Sequence, residues 1–285
     1  MENVIDISNE TKAEIALTRR TLGGLFFTGY ALAAVSAQAT PIITDAKGLV
    51  IAEPLIPNGV PHPLPAYLAR PDRPGHHPVI IVVNEVFGIH AYIKDICRRL
   101  AHLGYVAIAP AFFYRSGVDL AQIPLSDFAT RIMPVVSQAS DAQVDGDVSA
   151  TTRWLKAQSF VDPHKIGITG FCWGGSVVWR NCMTNPDLRA GVAWYGRLEK
   201  LKTLAAELRV PVLGLYGALD QGIPQADVQQ MAAGIAQAHK TGSSIHVYPD
   251  AGHGFHADYR DSYNAHDAAD GWARMLAHFR AHGVD

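Results

Sequence analysis

The sequence predicts an α/β fold, a mostly parallel twisted sheet with helices on both faces, and three observations predict it. Apolar, β-branched runs alternate with helix-spaced segments along most of the chain. The 285 residues suit one large α/β domain, and 18% charged residues, below the usual ~25%, imply a well-buried core. Polar residues suited to chemistry fall just after predicted strands, where open α/β sheets place their sites.

Taken in order, the amino terminus reads as a leader. Thr18-Arg19-Arg20-Thr21-Leu22 precedes an apolar stretch from Gly23 to Val35, and Ala37-Gln38-Ala39 has the small-x-small form of a signal-peptidase site. The paired arginines resemble a twin-arginine export signal, which predicts removal of residues 1–39 and a periplasmic or extracytoplasmic protein. The apolar stretch falls short of the ~20 residues of a membrane span, so no stable insertion is expected after processing. An uncleaved amphipathic helix or anchor, on a protein that stays cytoplasmic, is the alternative.

Residues 40–285 then read as one domain. Proline- and glycine-rich segments at 54–65 and 71–78 bracket a short strand at Ala66–Arg70. Val79–Val83 is a continuous β-branched run, as a strand buried on both faces requires. Ile93, Ile96, Leu100 and Leu103 are spaced for a helix over Tyr92–Leu103, which Gly104 ends. Tyr105–Ala109 is a second buried strand, and a long helix covers Asp141–Gln158. Strands follow at Gly191–Tyr195, Val210–Tyr216 and Ser244–Tyr248, with helices near Gln225–His239 and Tyr263–His282.

Between these lies Lys165-Ile166-Gly167-Ile168-Thr169 followed by Gly170-Phe171-Cys172-Trp173-Gly174-Gly175 and a helix-like segment from Ser176. Glycines on both flanks permit a sharp strand-to-helix turn that projects Cys172 from the carboxyl edge of the sheet. The following helix aims its partially positive amino end at that side chain and favours the thiolate, the reactive form. Cys172 therefore reads as a nucleophile. Cys97 and Cys182 read as small buried hydrophobes on helices, and three irregularly spaced cysteines are no disulfide framework.

A thiolate nucleophile needs a base, and the base an orienting carboxylate. Asp220 follows the strand ending at Tyr216, and His253 follows the last strand within Asp250-Ala251-Gly252-His253-Gly254-Phe255. The order Cys172, Asp220, His253 is that of the α/β-hydrolase fold. His253 and His256 lack the acidic company of a metal site, so neither metal nor cofactor is expected. His256 is expected to pack or hydrogen-bond near the pocket, His76 and His77 to be exposed loop, and His90 to line the cleft. The backbone amides of Trp173 and Val86 are the candidate oxyanion donors.

Together, Asn84-Glu85-Val86-Phe87-Gly88, Pro110-Ala111-Phe112-Phe113-Tyr114-Arg115, the Cys172 turn, Gly217 to Asp220 and Ala251-Gly252-His253-Gly254-Phe255 resemble the dienelactone hydrolases (carboxymethylenebutenolidases). The resemblance runs from about residue 50 to the carboxyl end. It implies a cofactor-free hydrolase that opens a dienelactone to maleylacetate, or a related lactone or ester, through an acyl-enzyme on Cys172. His253 would be base then acid, Asp220 the orienter, and Glu85 a modulator that holds the thiol in check until substrate carboxylate displaces it. Like-charge repulsion should raise the pKa of Glu85; a structural pair between Glu85 and Arg115 is the alternative. The resemblance makes Arg115 a substrate-carboxylate ligand. Tyr114, Phe113 and Trp173 would wall the pocket, or equally belong to the core. The family's second carboxylate-binding arginine is replaced here by Ala257, with Arg260 nearby.

A formal net charge of -2 argues against a nucleic-acid partner, leaving a small-molecule substrate and a monomer or small homo-oligomer. A non-catalytic or redox-sensing protein with a reactive Cys172 is the competing reading, but a sensor has no need of Asp220. A cysteine peptidase is disfavoured by the chain order.

Overall fold

The computed structural model describes residues 40–285; the predicted leader over 1–39, with its cleavage site, lies outside the described residues. The described strands are β1 (Leu49–Ala52), β2 (Leu55–Ile56), β3 (Leu64–Pro71), β4 (His77–Val83), β5 (Val106–Pro110), β6 (Val161–Phe171), β7 (Ala190–Trp194), β8 (Val212–Gly217) and β9 (Ser244–Tyr248). They form a sheet in the order β1-β3-β5-β4-β6-β7-β8-β9, with β2 paired to β3. From β5 to β9 every pairing is parallel, whereas β1 and β3 run antiparallel at one end. The helices are α1 (Ala91–His102), α2 (Met133–Gln138), α3 (Asp141–Lys156), α4 (Trp173–Thr184), α5 (Gln225–Gln237) and α6 (Ala265–Ala281).

The predicted alternation is therefore present, and the centre of the sheet is its driest part. Val79 to Val83 of β4 are all 0% exposed, as are Ile166 and Ile168 of the adjoining β6. Helix α3 starts at a capping box in which Ser140 and Gln143 satisfy each other's backbone amides. Cys97 on α1 and Cys182 on α4 are buried, and burial pushes both thiols up. A Cβ at Gly191 of β7 would lie 2.4 Å from Cys182 Sγ, so Cys182 fills the groove between helix and strand.

Two expectations need correction. β1 precedes the proline-rich stretch 54–65 and β2 lies within it, short strands whose pairing comes from β3 rather than from any periodicity of their own. His77 is buried at 5% exposure, not loop: its amide donates to Phe160 O at 2.9 Å as it opens β4. His76 beside it is exposed.

The extended segment that enters the domain is held by charge. Thr44 donates from its amide to Asp95 Oδ1 at 2.6 Å, and Arg98 Nε donates to Thr44 O at 2.7 Å. Arg99 bridges Asp95 (2.6 Å) to Asp258 (2.5 Å) in the loop after β9. Both acids are at most 2% exposed. Asp95 thus joins α1, the entry segment and, through Arg99, the loop that bears His253. Asp95 also pairs with Arg98 at 2.9 Å, so Asp95→Ala removes a carboxylate shared by two arginines that keep other partners, and we expect a loss of about 2–3 kcal/mol, read by urea denaturation. A loss under 0.5 kcal/mol, roughly what a neutral surface change costs, would show that the network carries no stability.

Candidate active site

Cys172 sits between β6 and α4 at φ 57, ψ -118, a conformation that costs a non-glycine residue about 1–3 kcal/mol. The surroundings compel it. Its amide donates to Trp194 O at 3.0 Å, and its carbonyl accepts from the Gly175 amide at 3.0 Å. A Cβ at Gly170 would meet Gly174 O at 2.4 Å, and one at Gly174 would meet Val83 O at 2.5 Å. Strand ends β4, β6 and β7 therefore crowd the turn so closely that glycine alone fits on either side. The thiol is 1% exposed.

Asp220 and His253 arrive from the ends of β8 and β9. Leu219 N donates to Ala251 O at 2.9 Å, and a Cβ at Gly217 would collide with the same carbonyl at 2.2 Å. The two loops thus lie backbone against backbone. Asp220 Oδ2 is 2.8 Å from His253 Nδ1, while Oδ1 accepts from Gly222 N at 2.8 Å. Tyr195 sets the imidazole's tilt, edge-on at 5.2 Å between ring centroids. Burial works against a charge on His253, but the Asp220 carboxylate and the facing Cys172 sulfur outweigh it and push its pKa up to about 10. Such an environment favours the charged imidazolium of His253.

Glu85, in the loop after β4, is fully buried, and its partners differ from those expected. Arg260 Nη2 donates to Oε1 at 2.9 Å, Tyr259 Oη donates to Oε2, and His90 Nε2 lies 3.6 Å away. Burial alone would raise its pKa; the Arg260 guanidinium, with His90 and Tyr259, outweighs burial and holds it down at about 2. The expected rise is thus reversed, because a cation 175 residues away in sequence is folded against it. Glu85 is ionised and a poor proton acceptor. Arg260, 1% exposed, also stacks over Phe87 at 5.2 Å.

Arg115 is likewise engaged elsewhere. Nη1 and Nη2 fork onto Asp147 of α3 at 2.6 and 2.7 Å, so the suggested pair with Glu85 is absent and both terminal nitrogens already hold a resident carboxylate. Tyr114 Oη accepts from Asn58 at 2.8 Å and donates to His62 O at 2.9 Å, leaving its ring to the cleft. Trp173 packs on Phe113 and Phe112 at 4.8 and 6.0 Å. Val86 is buried in the loop facing the turn, and Trp173 opens α4, where its amide has no intrahelical acceptor.

Tyr259, Tyr195 and Asp147 went unnoticed in the sequence. Tyr195 had a legible signal, since it directly follows a strand; the other two sit at positions that only packing selects. His256 is buried, bonded to Tyr92 Oη at 2.7 Å and stacked on Trp272.

A glycine-flanked turn after β6, an aspartate after β8 and a histidine after β9 stand in the chain order of the α/β-hydrolase fold. The chain matches the dienelactone hydrolase family over residues 64–283 and belongs to it. A protein of Methylorubrum extorquens provisionally named carboxymethylenebutenolidase is 46% identical over 286 residues, covering 95% of this chain and 96% of that one. One of Escherichia coli K12 with the same provisional name is 43% identical, covering 90% and 96%. The crystal structure of a provisionally named dienelactone hydrolase from Klebsiella pneumoniae superposes with a TM-score of 0.74 at 43% identity, covering 81% and 98%.

Burial, then the charge of Arg99, pushes the pKa of His256 down to about 3. A lowered folded pKa gives stability that is present above the unfolded value of ~6.5 and is lost as pH falls toward 3. We expect His256→Phe to flatten the decline in Tm between pH 6.5 and 4.5; an unchanged slope would show that His256 does not couple to folding.

Proposed function

We propose that this member of the family is a thiol-dependent hydrolase of lactones or carboxylic esters, with Cys172 as nucleophile, His253 as base and then acid, and Asp220 as orienter. The observation that carries the reading is the 2.8 Å Asp220–His253 contact, with the imidazole facing the buried Cys172 sulfur. His253 holds the proton of Cys172, and the thiolate attacks the carbonyl carbon. The amides of Val86 and Trp173 receive the oxyanion. As the tetrahedral adduct collapses, the C–O bond breaks and His253 gives its proton to the departing oxygen. In a lactone that oxygen stays attached to the acyl chain. Water, deprotonated by His253, then attacks the thioester, releasing the acid and restoring the thiol.

Glu85 modulates the thiol through the Glu85–Arg260 pair rather than as a proton acceptor. Its negative charge would oppose a standing thiolate, and Arg260 beside it offsets that field. Tyr114 supplies wall to the cleft, and Arg115 braces that wall through Asp147. The redox-sensing alternative fits less well, since the sulfur is shielded from solvent.

Cys172→Ala should lower kcat for short aryl esters by at least about 10³-fold, and Asp220→Asn by about 10³–10⁴-fold, with little change in KM. Wild-type turnover in Cys172→Ala would overturn the assignment. We also propose export through the Arg19-Arg20 leader. A reporter fused after Ala39 should leave the cytoplasm, and Arg19-Arg20→Lys-Lys should retain it; secretion unaltered by the double change would refute that route.

A further inference from the structure

Between the carboxyl ends of β4 and β5 lies a cleft of about 340 Å³, of the size that takes a small-molecule group. It starts at Gly88, two residues beyond Val86. Ile89, Phe112, Phe113, Val118 and Leu120 line it, and Phe112 and Phe113 continue onto Trp173, the neighbour of Cys172. The cleft is thus separated from the Cys172 turn by the Phe112, Phe113 and Trp173 rings, within reach of a group attached to an acyl carbon at Cys172.

Its charge is the informative part. Among the described residues no lysine, arginine or histidine lines it, and its one carboxylic acid is Asp119, whose Oδ1 caps the Ala121 amide at 3.0 Å. The neighbouring cations are committed elsewhere. Arg115 opens onto a separate recess with Val135 and Gln143 while it forks onto Asp147. Arg260, its side chain 0% exposed, is held by Glu85, and His90 faces the same carboxylate. The hydroxyl of Tyr114 is occupied by Asn58 and His62. Arg197, just past β7, has no carboxylate partner among the described residues, but the order β5-β4-β6-β7 puts it on the opposite side of Cys172 from the cleft. An anion entering this cleft would lose its hydration, meet no cation and face Asp119.

Resting on the hydrolase reading, we propose that the cleft between β4 and β5 seats an uncharged apolar group of the substrate, aryl or alkyl. The enzyme consequently prefers neutral esters or lactones to those that carry a carboxylate on that group. The family resemblance alone implied the opposite, a substrate held by its carboxylate.

Phenyl acetate and 4-carboxyphenyl acetate share a small acyl group and differ in the charge of the group offered to the cleft. We expect kcat/KM to favour phenyl acetate by about tenfold or more, beyond any difference in their uncatalysed rates. Val118→Arg, at a half-exposed rim position, places a cation in the cleft and should shrink that ratio at least about threefold. Asp119→Asn, which keeps the acceptor for Ala121, should move it the same way. Equal or faster turnover of the carboxylated ester, or a ratio unmoved by both variants, would overturn the proposal. If neither ester is turned over, the hydrolase reading is what fails. The cleft is then decided by protection of Cys172 from iodoacetamide: acetanilide should protect better than 4-acetamidobenzoate, and equal or reversed protection would overturn it.

Discussion

The structure depends on one crowded turn. Cys172 is held in a conformation that L-residues avoid because the ends of β4, β6 and β7 close on it from three sides. The strain is small beside the burial that enforces it: a continuous core of valine and isoleucine in β4 and β6 fixes where those strand ends lie. Relaxing the turn would mean separating β6 from its neighbours. The thiol's direction is thus set by the sheet, and everything else in the site is arranged around a sulfur that has nowhere else to point.

The second constraint is electrostatic. A fully buried carboxylate such as Glu85 is costly unless a cation comes with it, and Arg260 supplies one. The pair is further confined by Tyr259, by the face of Phe87 and by His90. Arg260 thus balances the charge of Glu85 within the buried loop. The pair also joins the loop after β4 to the loop after β9, the two segments that supply the proposed oxyanion donor and the base. The Asp95–Arg99–Asp258 network ties that second loop to α1 and to the entry segment. Charge therefore braces the loop that carries His253.

How much was legible in the sequence follows from the range of the interactions. Strands β4 to β9 were readable because buried β-branched runs and punctuating glycines are local signals. The turn at Cys172 was readable for the same reason, its glycines being adjacent to it. β1 and β2 were not, since four- and two-residue strands gain their hydrogen bonds from β3 and carry no period of their own. His77 was misread because its place at the start of β4 depends on a backbone bond to Phe160 O, distant in sequence. Partner choice was hardest. Arg115 could have met Glu85 or a substrate, and only α3 lying beside it makes Asp147 its partner.

The sequence by itself determined the succession of β4 to β9 along the chain, the glycine-flanked turn that carries a thiol, and the chain order of Cys172, Asp220 and His253. Those are properties of local pattern and chain order, which a single strand of text records. The tertiary structure alone decided which charges meet: Arg260 with Glu85, Arg115 with Asp147, and none of them in the cleft beside Trp173. Ion pairing is set by distance and desolvation in three dimensions, and neither quantity exists until the sheet has closed around them.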